Sequence, residues 1–133
     1  MNLKTLVEGF FIAGSAAAGG DDMVQLHAFR VSAKRLRYTI DILKLKHSKQ
    51  GLEKLKKIQD MIGAAHDAAV AASYLRQLPS LSKRVGKVPA KLDAKSKRFI
   101  GAFRKYWKAE FASNVKVEEW IEWAEASSTR RSS

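Results

Sequence analysis

The chain has 133 residues, no cysteine, and 25 Lys+Arg against 13 Asp+Glu, for a net charge of +12. That length allows one domain with a single core, and the absence of cysteine excludes disulfides, Cys-based zinc sites and thiol chemistry. The charge imbalance concentrates anions around the protein and points to a polyanionic partner, while leaving the fold open.

Helical periods run through the whole chain and strand alternation is absent. A first helix is expected from Leu3 to about Ala18, stopped by Gly19-Gly20. Its apolar run is broken by Glu8 and Gly9 directly after Leu6-Val7, so it reads as a helix of the domain and not as an export signal. Nowhere do the ~18 consecutive apolar residues of a membrane span occur, and no membrane partner is expected. Asp22 is placed to cap a second helix reaching about Lys46, with Gln25 completing a capping box. A third helix is predicted from Leu52 to Leu78, where Pro79 ends it. Pro79 to Pro89, with Ser, Gly and both prolines, is expected to be a loop. A fourth helix from Ala90 to about Ala112 carries Leu92, Phe99, Ile100, Phe103 and Trp107 on one side. Val117 to Ala126 is a short acidic helix bearing Trp120 and Trp123, and 127–133 is a disordered Ser/Thr/Arg tail. The fold class is all-α: an antiparallel four-helix bundle with long helices plus a short C-terminal helix, residues 1–126 forming one domain.

The second helix is the most informative element. At about 100° per residue, His27, Arg30, Lys34, Arg37, Tyr38 and Asp41 share one arc, while Phe29, Ala33, Leu36, Ile40 and Leu43 gather opposite. Cations three and four apart repel one another unless an anion lies among them. Arg30 and Arg37 offer planar forks that grip phosphate oxygens bidentately, and Lys34 is a compact charge between them. His27 offers one hydrogen bond as a neutral imidazole, and a cation beside a polyanion. A metal site would need partners on its face, and neither His47 nor His66 shares that face, so no metal or other cofactor is expected. On the third helix Lys56, Gly63 and Asp67 lie around one side with Asp60 beside them. A glycine in a helix interior costs about 1 kcal/mol relative to alanine, which suggests close approach of another helix at Gly63. Asp67 is then expected to reach the basic stripe and orient an arginine. His66 points toward Ile62 and Ala69 and reads as structural. The fourth helix carries two basic strips, Lys91, Lys95, Arg98 and Lys105 on one and Lys97, Arg104 and Lys108 on the other. The first is the better spaced to complete a groove opposite the second helix.

Two blocks carry a family resemblance. His27-x-x-Arg30-Val31-x-x-Lys34-x-Leu36-Arg37-Tyr38 resembles the signature of the CHAD family, the conserved histidine α-helical domain, in the form found in its C-terminal half. Leu55-Lys56-Lys57-Ile58-Gln59-Asp60-Met61-Ile62-Gly63-Ala64-Ala65-His66-Asp67 resembles the family's Leu-x-x-Leu-Gln-Asp-x-Leu-Gly-x-x-Asn-Asp segment, and Phe103-Arg104-Lys105-Tyr106-Trp107 echoes its last helix. The resemblance covers about residues 20–112. Asp41 stands where Glu is common, and His66 where Asn is frequent. The resemblance implies a helical bundle whose basic surface binds inorganic polyphosphate without chemistry of its own. The implied ligand residues are His27, Arg30, Lys34, Arg37, Lys56, Lys95, Arg98 and Lys105, with Asp67 and Tyr38 orienting. It further implies two four-helix halves around a basic groove. The chain has length for one, and a homodimer is expected to restore the pair.

Three function classes meet these features. A polyphosphate-binding module in the cytoplasm, at polyphosphate granules, is the leading expectation. A nucleic-acid binder shares the electrostatics but would expose aromatics for stacking, and here these read as core. A histidine phosphotransfer bundle is the third, although the glycine usual after its basic residue is Val31 here. Catalysis is not expected, because there is no paired-carboxylate metal site, P-loop or activated nucleophile.

Overall fold

The computed structural model describes residues 2–20, 22–78 and 82–132, with side chains at all of these except 82, 83 and 128–132. The helices are α1 (Leu3–Gly19), α2 (Met23–Leu43), α3 (Lys49–Arg76), a single turn α4 (Ser82–Val85), α5 (Val88–Glu110) and α6 (Asn114–Ser132), with no strand among the described residues. Helix α1 packs on α2, α2 on α3, α3 on α5 and α5 back on α1, closing a ring of four. Paired positions show that neighbours run antiparallel: Arg37 meets Gln59, Ser96 meets Ala65 while Lys54 meets Glu110, and Phe10 meets Phe29. The all-α bundle is therefore the architecture.

The inner stripes of these helices meet in an aromatic core of Phe10, Phe11, Phe29, Phe103, Trp107 and Phe111. Trp107 stacks on Phe111 at 5.0 Å and on Phe10 at 5.5 Å, while Phe29 meets both Phe103 and Trp107. Such rings bury large areas and add about 0.5–1.5 kcal/mol per well-oriented pair. Gly14 makes this packing possible: a Cβ there would fall 2.1 Å from the Trp107 ring.

Helix ends account for most departures from the sequence expectations. Asn2 accepts from the Thr5 amide at 2.8 Å and Asp22 from the Val24 amide at 2.8 Å. Asp22 caps α2 as expected, but no bond from Gln25 completes a box among the described residues. The Gln25 Oε1 lies instead toward Gly20. Helix α2 stops at Leu43, not Lys46, because Lys44 turns left-handed at φ 48° and sends buried Leu45 back onto the core. Helix α3 spans Lys49–Arg76, starting a turn earlier than Leu52 and ending two residues before Leu78. Within the expected loop Pro79–Pro89, residues 79–81 lie outside the described ones, Ser82–Val85 form a helical turn, and Pro89 sits inside the first turn of α5. Proline is suited to that place, since its missing N–H has no partner in a first turn anyway.

The C-terminal helix is the largest correction. It spans Asn114–Ser132 instead of Val117–Ala126, because Ser113 accepts from the Lys116 amide at its start and neither Gly nor Pro interrupts it later. Helical structure thus continues through the segment expected to be a disordered tail, as far as Ser132. Its acidic residues do not fold over the α2 stripe. Helix α6 lies along the N-terminal half of α1, where Lys4 pairs with Glu125 at 3.1 Å, and Trp123 Nε1 donates to the Lys46 carbonyl at 2.9 Å. The hydrogen bond to Glu125 holds the Lys4 ammonium pKa above its usual range. Trp120 also approaches Gly51 closely at the α2–α3 corner, where a Cβ would fall 2.9 Å from its ring.

Candidate anion-binding seam between α2 and α3

Helix α2 buries Leu26, Phe29, Ala33, Leu36 and Ile40, so residues about 100° around on its α3 side emerge at the seam. There Arg30 and Arg37 are half-buried, while His27, Lys34 and Tyr38 are exposed. The Arg37 Nη1 donates to Gln59 Oε1 at 3.0 Å, which aims the guanidinium along the seam without neutralising it. Lys34 lies over the Tyr38 ring, 5.7 Å from its centroid, so the cation beside Tyr38 is the Lys34 ammonium. Across the seam, Lys56, Gly63 and Asp67 lie on α3 about 40–80° farther toward solvent than Gln59. At the N-terminal end of α2, His27 and Arg30 line a small pocket with Leu26, Ile62, Ala65 and His66, closed behind by Ile100 of α5.

Several expected placements change. Asp67 is exposed and forms no ion pair or hydrogen bond among the described residues, and Gln59 makes the contact expected of it. Nothing lies within 4 Å of a Cβ built at Gly63, so no helix approaches there. His66 shares the pocket of His27, although the two histidines belong to different helices. Lys95, Arg98 and Lys105 do not join the seam. Phe29 of α2 and Phe103 of α5 touch in the core, and Arg98 and Lys105 are set about 200–220° around α5 from Phe103, facing away from α2. On the other strip, Arg104 donates to the Gly20 carbonyl at the α1–α2 corner. The sequence could not show this, since it does not reveal which helices are diagonal across the bundle.

The opposite seam of α3 is where its ion pairs lie. Lys54 pairs with Glu110 at 3.2 Å, Arg76 pairs with Asp93, and Lys57 lies 4.7 Å over the Tyr106 ring. Burial, and after it the Glu110 charge, pushes the Tyr106 phenol pKa up from its ordinary value. Ser96, buried on α5, donates to the Ala65 carbonyl at 2.7 Å, a contact for which the sequence held no signal. Among the described residues no ion pair involves Arg30, Lys34, Arg37 or Lys56, and no cluster of three or more metal-ligating side chains exists.

With this geometry in hand, the family comparison has a place to land. The CHAD domain model matches residues 2–76, more than half of the chain. The protein belongs to the CHAD family. The match runs from the N-cap of α1 to the last residue of α3, so it holds both blocks read in the sequence and both walls of the basic seam. It begins earlier than residue 20, and it ends before the Phe103–Trp107 segment of α5. No curated protein and no solved structure matches this CHAD chain. No helix among its described residues is long and apolar enough to cross a membrane.

Proposed function

We propose that this CHAD protein binds inorganic polyphosphate along the α2–α3 seam and carries out no reaction on it. The observation that carries this reading is the row of Arg30, Lys34 and Arg37 on α2 with Lys56 on α3, without a carboxylate partner among the described residues, while the ion pairs of α3 lie on its other seam. Like charges at three- and four-residue spacing each cost a few tenths of a kcal/mol, and a linear chain of phosphates relieves all of them at once. The arginine forks give directional contacts, Lys34 and Lys56 add point charges, and His27 extends the row toward the N-terminus of α2. Association with cytoplasmic polyphosphate granules follows from such binding.

The test is titration of the purified protein with long-chain polyphosphate and with length-matched single-stranded DNA at several salt concentrations. Polyphosphate is expected to bind tighter, with a log–log salt slope of roughly −2 to −3 from three or four phosphate contacts. The Arg30→Ala/Arg37→Ala variant should lose this binding while keeping its helical circular dichroism. Equal binding of both polymers, unchanged in the variant, would favour generic nucleic-acid-type attraction and overturn the reading.

The proposal includes a homodimer. The outer surface of α1 and α2 exposes Gly9, Ile12, Ala16, Val24, Val31 and Ile42, with the charges Glu8 and Arg35 beside them. On a chain of net charge +12 this is where two copies meet with least repulsion, and pairing there sets two basic seams on one assembly. Sedimentation equilibrium should show a dimer that Ile12→Glu/Val31→Glu converts to monomer. A monomer at all concentrations removes this part of the proposal.

A further inference from the structure

The pocket at the N-terminal end of the seam contains more than the stripe requires. Its walls are apolar, Leu26, Ile62, Ala65 and Ile100, and its polar side chains are two imidazoles and one guanidinium: His27 and Arg30 from α2 and His66 from α3. None of these three has a hydrogen bond or ion pair among the described residues. No nitrogen of either ring is buried without a partner, so as neutral rings they are served by solvent; as cations they add charge to a crowded positive surface, which an anion relieves.

We infer that His66 joins His27 and Arg30 in a proton-coupled anion site that takes one phosphate group at the end of the seam. The inference rests on the polyphosphate reading and adds a binding residue and a regulation to it. Arg30 supplies a permanent positive charge and a bidentate fork. Each imidazole donates one N–H when neutral, and a negatively charged phosphate drawn against it favours the doubly protonated ring, so binding takes up protons. The surroundings support this sign. From α2, Lys34 stands one turn beyond Arg30. Asp67, next to His66 on α3, is the nearest carboxylate in that helix and is exposed, with no partner of its own among the described residues. From α5, Ile100 reaches the pocket, with Lys97 nearby on the helix and Arg104 turned to the Gly20 carbonyl. Asp22, at the start of α2, is engaged by the Val24 amide. The charge facing the site is therefore mostly positive, and an incoming phosphate is the group that makes protonation favourable.

The ligand's own titration runs the other way, which makes the test decisive. A terminal phosphate gains negative charge as pH rises through about 6, so ligand ionisation alone tightens binding at high pH. Proton-coupled imidazoles tighten it at low pH. The full-length protein is titrated with inorganic triphosphate and with long-chain polyphosphate from about pH 6 to pH 8.5, in wild type, His66→Gln and His27→Gln, at fixed ionic strength. Wild-type affinity should rise by about tenfold over this interval as pH falls, the effect of one fully coupled proton across a single pH unit. His66→Gln should lose most of that rise. Calorimetry in two buffers of different ionisation heat should show less proton uptake in the variant. His27→Gln, at an exposed position, should behave alike even where His66→Gln folds poorly. Parallel pH profiles in wild type and both variants would overturn this inference alone. Absence of binding at every pH would overturn it together with the polyphosphate reading.

Discussion

Helix α3 presents two seams of opposite character. Toward α5 it satisfies its polar groups: Ser96 on the Ala65 carbonyl, Lys54 on Glu110, Arg76 on Asp93, Lys57 over Tyr106. Toward α2 it offers a single neutral hydrogen bond, Gln59 to Arg37, and leaves the facing cations unpaired among the described residues. Both seams are made of long polar side chains at similar helical spacing, so composition does not separate them. The difference is where the carboxylates stand. Glu110 and Asp93 sit within reach of their partners, whereas Asp60 and Asp67 lie on the exposed face of α3 and pair with nothing described. The paired seam holds helices together, and the open one is the surface on which the proposed ligand binding rests.

Two substitutions test that division with opposite signs. Ser96→Ala removes the buried hydrogen bond of the α3–α5 seam and should lower stability by about 1 kcal/mol, read as a shifted urea midpoint. Because the partner of Ser96 is the Ala65 carbonyl and not a residue of the basic row, polyphosphate affinity should stay unchanged, and a loss of binding would show that the seams are not independent. The smaller effect is expected at Gly63 on the open seam. With nothing within 4 Å of its would-be Cβ, Gly63→Ala should raise stability by about 0.5–1 kcal/mol through helix propensity alone. Destabilisation would mean that another helix does close on this position, which would remove the open seam.

Much of the bundle was legible in the sequence because amphipathic periodicity is a local signal. Phe29, Leu36, Ile40, Phe103 and Trp107 were placed in the core from spacing alone, and all are buried. Helix ends were read less well. The left-handed turn at Lys44 depends on Leu45 finding the core, and the long α6 depends on the absence of breakers in a segment whose composition suggested disorder. Within the site, Arg30, Lys34 and Arg37 emerge together because they share one helix. Lys95, Arg98 and Lys105 were grouped with them on spacing, yet spacing within a helix carries no information about which helix lies opposite. The role given to Asp67 failed for a related reason: Gln59, two turns earlier on α3 and turned farther into the seam, is the residue that reaches Arg37.

The sequence by itself determined the helices, their buried faces, the net charge of +12 and the cationic stripe on α2, since each follows from residue order within a few turns. Only the tertiary structure decided that α5 lies diagonally behind that stripe, that α6 leaves it uncovered, and that His66 of α3 meets His27 at its end. Those outcomes are set by the shapes that let helices approach, such as Gly14 under Trp107 and Gly51 against Trp120, which combine residues far apart in the chain.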